Sequence, residues 1–164
     1  MTIEGRRTGW LTHEFHARLR ELLLHTLARY RLACPAYCLM PDHLHLLWLG
    51  LARSSDQRLA ARLFRQHFNR LLASGGTLAG SATAFKLQKQ GYDHVLRDNE
   101  RGRDALGQAG FYILENPARK GLVKHRGQWP FSGGMLAGYP DLDPRQDDYW
   151  ERFWKIYCKL AEPP

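Results

Sequence analysis

The sequence predicts an α+β fold, and three observations predict it. Apolar residues recur at helical spacing in several separate stretches. A strand-like stretch split by Pro41-Asp42 lies between the first two of them. Helical and strand-like segments then alternate irregularly instead of as regular βα units. With 164 residues, the chain reads as a single domain over 1–164, large enough to bury a core without disulfides. A composition of 44% hydrophobic and 24% charged residues excludes a disordered or collagen-like chain.

The elements follow in order. Thr12 predicts the cap of a helix running to about residue 32, with Phe15, Leu19, Leu22, Leu23, Leu27 and Tyr30 as its apolar stripe and Pro35 as its stop. AYCLMPDHLHLLWLG is too short on either side of Pro41-Asp42 for a helix, so it predicts two strands joined at that turn and ended by Gly50. A second helix is predicted over 56–73, with Leu59, Leu63, Phe64 and Leu71 on its apolar side and Arg58, Arg62, Arg65 and Arg70 on a basic one. FKLQKQGYDHVLR predicts a further strand pair or extended segment around Gly91. A third helix is predicted over 99–116, ended by Pro117. Gly133-Gly134 and Gly138 predict a loop. An aromatic amphipathic helix is predicted over 147–160, packing through Trp150, Phe153, Trp154 and Tyr157.

Several function classes are excluded at this level. The longest apolar run, 44–51, contains His45 and falls far short of the ~20 residues of a membrane span, so no membrane partner is expected. MTIEGRRTGW carries no apolar core of a secretory signal. The three cysteines, Cys34, Cys38 and Cys158, lack the C-x-x-C spacing of zinc and redox sites and read as reduced, packed thiols of a cytosolic protein. Lys and Arg number 24 against 16 Asp and Glu, a net charge of +8, which points to a polyanionic partner.

Two local patterns carry chemistry. On a strand, His43 and His45 point to one face while Leu44 points into the core. Two neutral imidazoles side by side suit a divalent metal. Taken alone, an H-x-H on a half-exposed strand is more often an ordinary pair of polar-face residues. On a helix, Tyr112 and Asn116 share a face four residues apart. A tyrosine hydroxyl can be a nucleophile when a metal or base assists it, and an asparagine oxygen is a hard metal ligand. Taken alone, this pair also reads as a core aromatic and a helix-ending asparagine. Together they describe a metal held by His43, His45 and Asn116 beside the Tyr112 hydroxyl, suited to attack on a phosphodiester without water.

At this point the sequence resembles a family. YCLMPDHLHLLW is similar to the M-P-N-H-x-H-hydrophobic segment of the REP-associated tyrosine transposases, relatives of the single-tyrosine HUH transposases. YDHVLRD resembles their next Asp-His segment, YILENPARKGLV their Y-I-x-x-N-P-x-x-x-G-L-V segment, and WPFSG their late W-P-x-S-S segment. The matches keep the family order from about residue 30 to 134. The resemblance implies a ferredoxin-like sandwich whose antiparallel sheet carries the HUH motif, in a cytoplasmic, nucleoid-associated bacterial protein. It implies an enzyme that nicks and rejoins single-stranded DNA at hairpin-forming repeats with Mg²⁺ or Mn²⁺, through a 5′-phosphotyrosine and a free 3′-hydroxyl. By position, His43 and His45 become metal ligands, Asn116 the third ligand and Tyr112 the nucleophile. Tyr92 is a rival nucleophile, and Asp93 and His94 are outer partners of the metal site or a buried pair.

DNA contacts are expected from Arg119, Lys120, Lys124 and Arg126, and from the basic helix side with Arg62 and Arg65; each of these also reads as a solvated surface cation. Trp48 or Trp129 is a candidate for stacking on unpaired bases. Asp42 stands where the family has Asn, and its carboxylate strengthens the metal site, repels phosphate or only shapes the turn. Gly133 stands where the family has a second Ser. The family's opening strand has no clear counterpart: either Thr2 to Arg6 is a poor substitute or the sheet has lost a member. That departure keeps a second class open, a domesticated or inactive DNA-binding protein, and an unrelated metal hydrolase is a third. Related transposases can be homodimers, and the C-terminal helix either serves such an interface or closes the core.

Overall fold

The sheet is built around one strand whose nine residues, Leu32–Met40 (β1), are all buried. The computed structural model describes residues 1–78, 84–89 and 103–163. Around β1 run α1 (His13–Tyr30), β2 (His43–Gly50), α2 (Gln57–Leu78), α3 (Arg103–Arg119), β3 (Ser132–Met135) and α4 (Tyr149–Leu160), with 3-10 turns at Glu4–Arg6 and Arg126–Gln128. β1 pairs antiparallel with β2 on one side and β3 on the other.

Of the two alternatives left by the sequence, a poor substitute strand or a lost one, the structure shows the first residues in place. Thr2 bridges His43, and the Leu44 amide donates to the Met1 carbonyl at 2.8 Å. On its far side the same segment holds residues 84–89: Ile3 bridges Leu87, and the Gln88 amide donates to the Thr2 carbonyl at 2.9 Å. Counting residues 1–4 as the first strand and 84–88 as the fourth, the lateral order is 4-1-3-2, with β3 added beside β1. This is the expected α+β, ferredoxin-like sheet, with residues 1–4 in the opening-strand position.

α1 forms as the sequence predicts. The Thr12 hydroxyl accepts from the Phe15 amide at 3.1 Å, and Phe15, Leu19, Leu23 and Leu27 are buried. It does not run on to Pro35. Arg31 turns left-handed at φ 49°, ends the helix, and β1 starts at once. Pro35 therefore sits inside a strand, at the point where both ladders of β1 shift register. A residue without an N–H is tolerated in a sheet at such a bulge. The bulge reverses the faces. Before it, Leu32 and Cys34 face the α1 and α2 core and Ala33 faces α4; after it, Tyr37 and Leu39 face that core while Ala36, Cys38 and Met40 face α3.

Other boundaries also move. Gly133 and Gly134 are not in a loop but in β3, because side chains are excluded there: a Cβ on Gly133 would meet the Tyr37 hydroxyl at 2.7 Å, and one on Gly134 would run into the Tyr149 hydroxyl. α2 buries Ala60, Phe64, Phe68 and Leu72, one row round from the predicted stripe, and leaves Leu59 45% exposed. α3 carries Pro117 inside it and ends at Arg119. The segment 90–97 and the predicted helix start at 99–102 lie outside the described residues. Cys34 and Cys38 are buried thiols pushed up to about 12 by burial, whereas Cys158 is exposed. Among the described residues, no helix is long and apolar enough to cross a membrane.

Two predictions follow from packing and burial. Gly134→Ala should lower unfolding stability by about 1–3 kcal/mol in urea titrations through overpacking, whereas Gly107→Ala, at a helix position with open space around it, should raise it by up to ~1 kcal/mol. His16, whose Nε2 lies 3.1 Å from the Tyr37 hydroxyl, is lowered to about 4 by burial and then by the neighbouring Arg20 and His13. The unfolded chain thus takes up a proton that the folded chain refuses between about pH 6.5 and 4. Stability is complete above that window and lost as pH falls through it, by on the order of 1–2 kcal/mol after discounting for solvent screening. His16→Gln should flatten that part of the pH–stability curve.

Candidate functional site

The two histidines meet because β2 has a period of two. His43 and His45 pair across the ladder with Met40 and Cys38, which pack against Ile113 and Leu114 of α3. Leu44 between them is fully buried in the opposite core. The imidazoles thus lie on the face that α3 covers, with Nε2 of His43 and Nε2 of His45 only 3.0 Å apart. Burial, and then the neighbouring His43, lowers His45 to about 4, so that ring is neutral at physiological pH.

Asp42 does more than shape the turn. Its Oδ1 lies 2.6 Å from His43 Nδ1, and its Oδ2 accepts from Arg6 at 2.8 Å. Burial alone would raise this carboxyl, but the bonds from His43 and Arg6 outweigh it and hold the group below the usual carboxylate range. The turn is fixed on both sides, by the Trp10 indole donating to the Pro41 carbonyl at 2.6 Å and the Ile3 amide donating to the Asp42 carbonyl at 2.9 Å.

These donors fit a divalent cation. Two nitrogens bound at ~2.1 Å in adjacent positions around one ion stand about 3 Å apart, which is the separation of the two Nε2 atoms. Among the described residues, no cluster of three His, Cys, Asp or Glu side chains is placed to hold a metal. The remaining positions would therefore fall to amide or substrate oxygens.

α3 runs in the same direction as β1. A Cβ on Gly110 would touch Ala36, while Ile113 and Leu114 pack on Cys38 and Met40. One further turn carries Asn116 toward the end of the sheet where Met40 pairs with His43. Asn116 is 6% exposed, and its amide nitrogen donates to the Tyr112 and Ile113 carbonyls at 3.1 and 3.4 Å. The Ile113 carbonyl is the one that Pro117, lacking an N–H, cannot satisfy. The asparagine amide supplies the missing donor, and this is how the helix continues through Pro117. With the nitrogen so used, the amide plane is fixed and the oxygen is directed away from the helix backbone.

Tyr112 is 51% exposed and turns toward a groove between α3 and α4 that Trp150 and Trp154 also line; neither histidine lines it, so the expected meeting of the Tyr112 hydroxyl with the His43–His45 pair is not made in this structure. The Arg119 guanidinium stacks 4.5 Å from the Tyr112 ring centroid. The sequence did not point to these two tryptophans as neighbours of Tyr112. α4 buries Tyr149 and Phe153 in the chain's own core.

The other cations divide. Lys120, Lys124 and Arg62 are exposed. Arg126 pairs with Glu115 at 3.3 Å and lies over Phe111. Arg65 donates to the Gln88 and Lys89 carbonyls at 2.6 and 3.3 Å, fastening 84–89 to α2. Trp48 packs edge-on against Phe64, and the Trp129 indole donates to the Leu39 carbonyl at 2.8 Å; both rings are partly buried. Tyr92, Asp93 and His94 lie outside the described residues.

The structure thus has paired histidines on an inner strand of a ferredoxin-like sheet, on the face that α3 covers. No family model matches the chain. It is similar to a Haemophilus influenzae protein named "Putative REP-associated tyrosine transposase", 23% identical over 143 residues, 80% of this chain and 75% of the relative. Its fold is that of a solved REP-associated tyrosine transposase bound to a REP hairpin, with a TM-score of 0.59 and 23% identity, covering 80% of this chain and 71% of the other.

Asn116→Asp, which replaces the donor by an acceptor facing two carbonyls, should lower unfolding stability by about 1–3 kcal/mol in the absence of metal. Asn116→Ser should cost less. Equal urea midpoints for wild type and Asn116→Asp would remove the role given to the amide nitrogen.

Proposed function

We propose that this protein is a divalent-metal-dependent transesterase that nicks and rejoins single-stranded DNA carrying hairpin-forming repeats. The observation that carries the reading is the His43–His45 pair, poised on the sheet face that the Tyr112 helix covers. His43, His45 and the Asn116 oxygen would hold Mg²⁺ or Mn²⁺. The bound ion supplies Lewis-acid polarisation of the scissile phosphate. Tyr112 Oη attacks phosphorus, the bond to the 3′ oxygen breaks, and the phenolic proton is balanced by the one gained at the free 3′-hydroxyl. The 5′-phosphotyrosine conserves the ester for rejoining. Arg119, Lys120, Lys124 and Arg126 follow the nucleophile in the chain and would neutralise backbone phosphates.

The second reading, a DNA-binding protein that does not cut, rests on a missing opening strand and on the basic surface. Residues 1–4 pair with β2 and with 84–89, which removes the first ground, and the basic surface serves both readings equally.

With Mn²⁺ and a hairpin-bearing single strand taken from the DNA flanking its own gene, the wild type should form a covalent adduct stable on a denaturing gel. Tyr112→Phe should lose the adduct by at least ~10³-fold while binding stays within a few-fold. Adduct formation by Tyr112→Phe at the wild-type level would transfer the nucleophile's role elsewhere. DNA binding with no adduct in the wild type would establish the non-cutting alternative.

A further inference from the structure

We infer that Asp42 is a positioning residue that sets the proton on Nδ1 of His43, and that Arg6 holds Asp42 in that task. The inference deepens the metal-site reading above and rests on it only for the identity of the cation.

The two Nε2 atoms of His43 and His45 stand 3.0 Å apart. Both must offer lone pairs before one cation can bind between them, so each ring must carry its proton on Nδ1. For His43 the sheet provides that arrangement locally. Asp42 Oδ1 lies 2.6 Å from Nδ1, and an ionised carboxylate accepts only, so the ring proton belongs on Nδ1 and Nε2 is left bare.

The carboxylate is itself held. Arg6 donates to the other oxygen at 2.8 Å, and the Ile3 amide donates to the Asp42 carbonyl. Arg6 reaches this point from an unusual backbone, at φ 50°, next to Gly5 at φ 67°. A non-glycine residue in the left-handed region is strained. The Arg6 side chain is 70% exposed, and such a pair contributes little to stability. What the strained backbone gains is the placement of one guanidinium on the outer oxygen of Asp42, leaving the inner oxygen for His43.

An acid at this position sets the proton more firmly than an amide. An amide at residue 42 would also accept from Nδ1–H, but it is neutral and can turn its NH₂ group toward the ring, favouring the opposite proton placement. Asp42 removes that choice.

The test uses the full chain with ¹⁵N-labelled histidine and Mn²⁺ as the probe. In the metal-free wild type, long-range ¹⁵N–¹H spectra should show His43 protonated on Nδ1. In Asp42→Ala that preference should be lost, and Mn²⁺ affinity by calorimetry should fall about 10–100-fold. Asp42→Asn should lie between the two, and Arg6→Ala should weaken Mn²⁺ binding several-fold without unfolding the chain. Near-wild-type thermal midpoints for Asp42→Asn and Arg6→Ala would separate positioning from a folding defect. An unchanged His43 tautomer in Asp42→Ala, or unchanged Mn²⁺ affinity in a variant that has lost the tautomer, overturns the assignment. A wild type that takes up no Mn²⁺, yet shows the tautomer switching with residue 42, overturns the metal reading and leaves the positioning role intact.

Discussion

The single-residue slip of β1 at Pro35 is the constraint on which the arrangement depends. β1 is buried over its whole length and sits between two strands and two helical layers. A strand without the slip would keep one parity from end to end. Here Cys34 and Tyr37, three residues apart, face the same core, and Ala36, Cys38 and Met40 are thereby released to face α3. The tight turn at Pro41-Asp42 then copies that parity onto β2, so His43 and His45 inherit the α3 face from Met40 and Cys38. The carbonyl of Pro35 is also used, as acceptor for the buried Tyr149 hydroxyl of α4. One irregular residue therefore positions α3, α4 and the histidines together.

What was legible in the sequence was what local periodicity controls. The Thr12 cap, the α1 stripe, the hairpin at Pro41-Asp42 and the common face of His43 and His45 each depend on residues a few positions apart. What was not legible depends on partners far along the chain. Pro35 looked like a helix stop because nothing nearby shows that two strands flank it. Gly133 and Gly134 looked like a loop because the groups that exclude side chains there, on Tyr37 and Tyr149, come from distant elements. Residues 1–4 looked too poor for a strand because their pairing lies with His43 and Leu87. The histidine pair was readable, whereas the Arg6–Asp42 contact, 36 residues apart in sequence, was not.

Asn116 and Pro117 show structural and chemical demands met by one dipeptide. Proline in a helix leaves a carbonyl without its donor, and the asparagine beside it returns one from its side chain. The same bond immobilises the amide. An amide oxygen proposed as a ligand needs such immobilisation, because a freely rotating carboxamide presents its nitrogen as readily as its oxygen. The resemblance of the Asn-Pro pair to a family motif thus has a physical reading inside this helix.

The shortness of β3 has a consequence of its own. A terminal strand exposes unpaired amides and carbonyls along its outer side, and a long flat one invites neighbouring molecules to add to it. Ser132–Met135 offers only four residues, two of them glycines pressed against tyrosine hydroxyls. Such a stub is a poor template for lateral growth, so on this side of the sheet the largely apolar central strand is shielded from edge-to-edge addition.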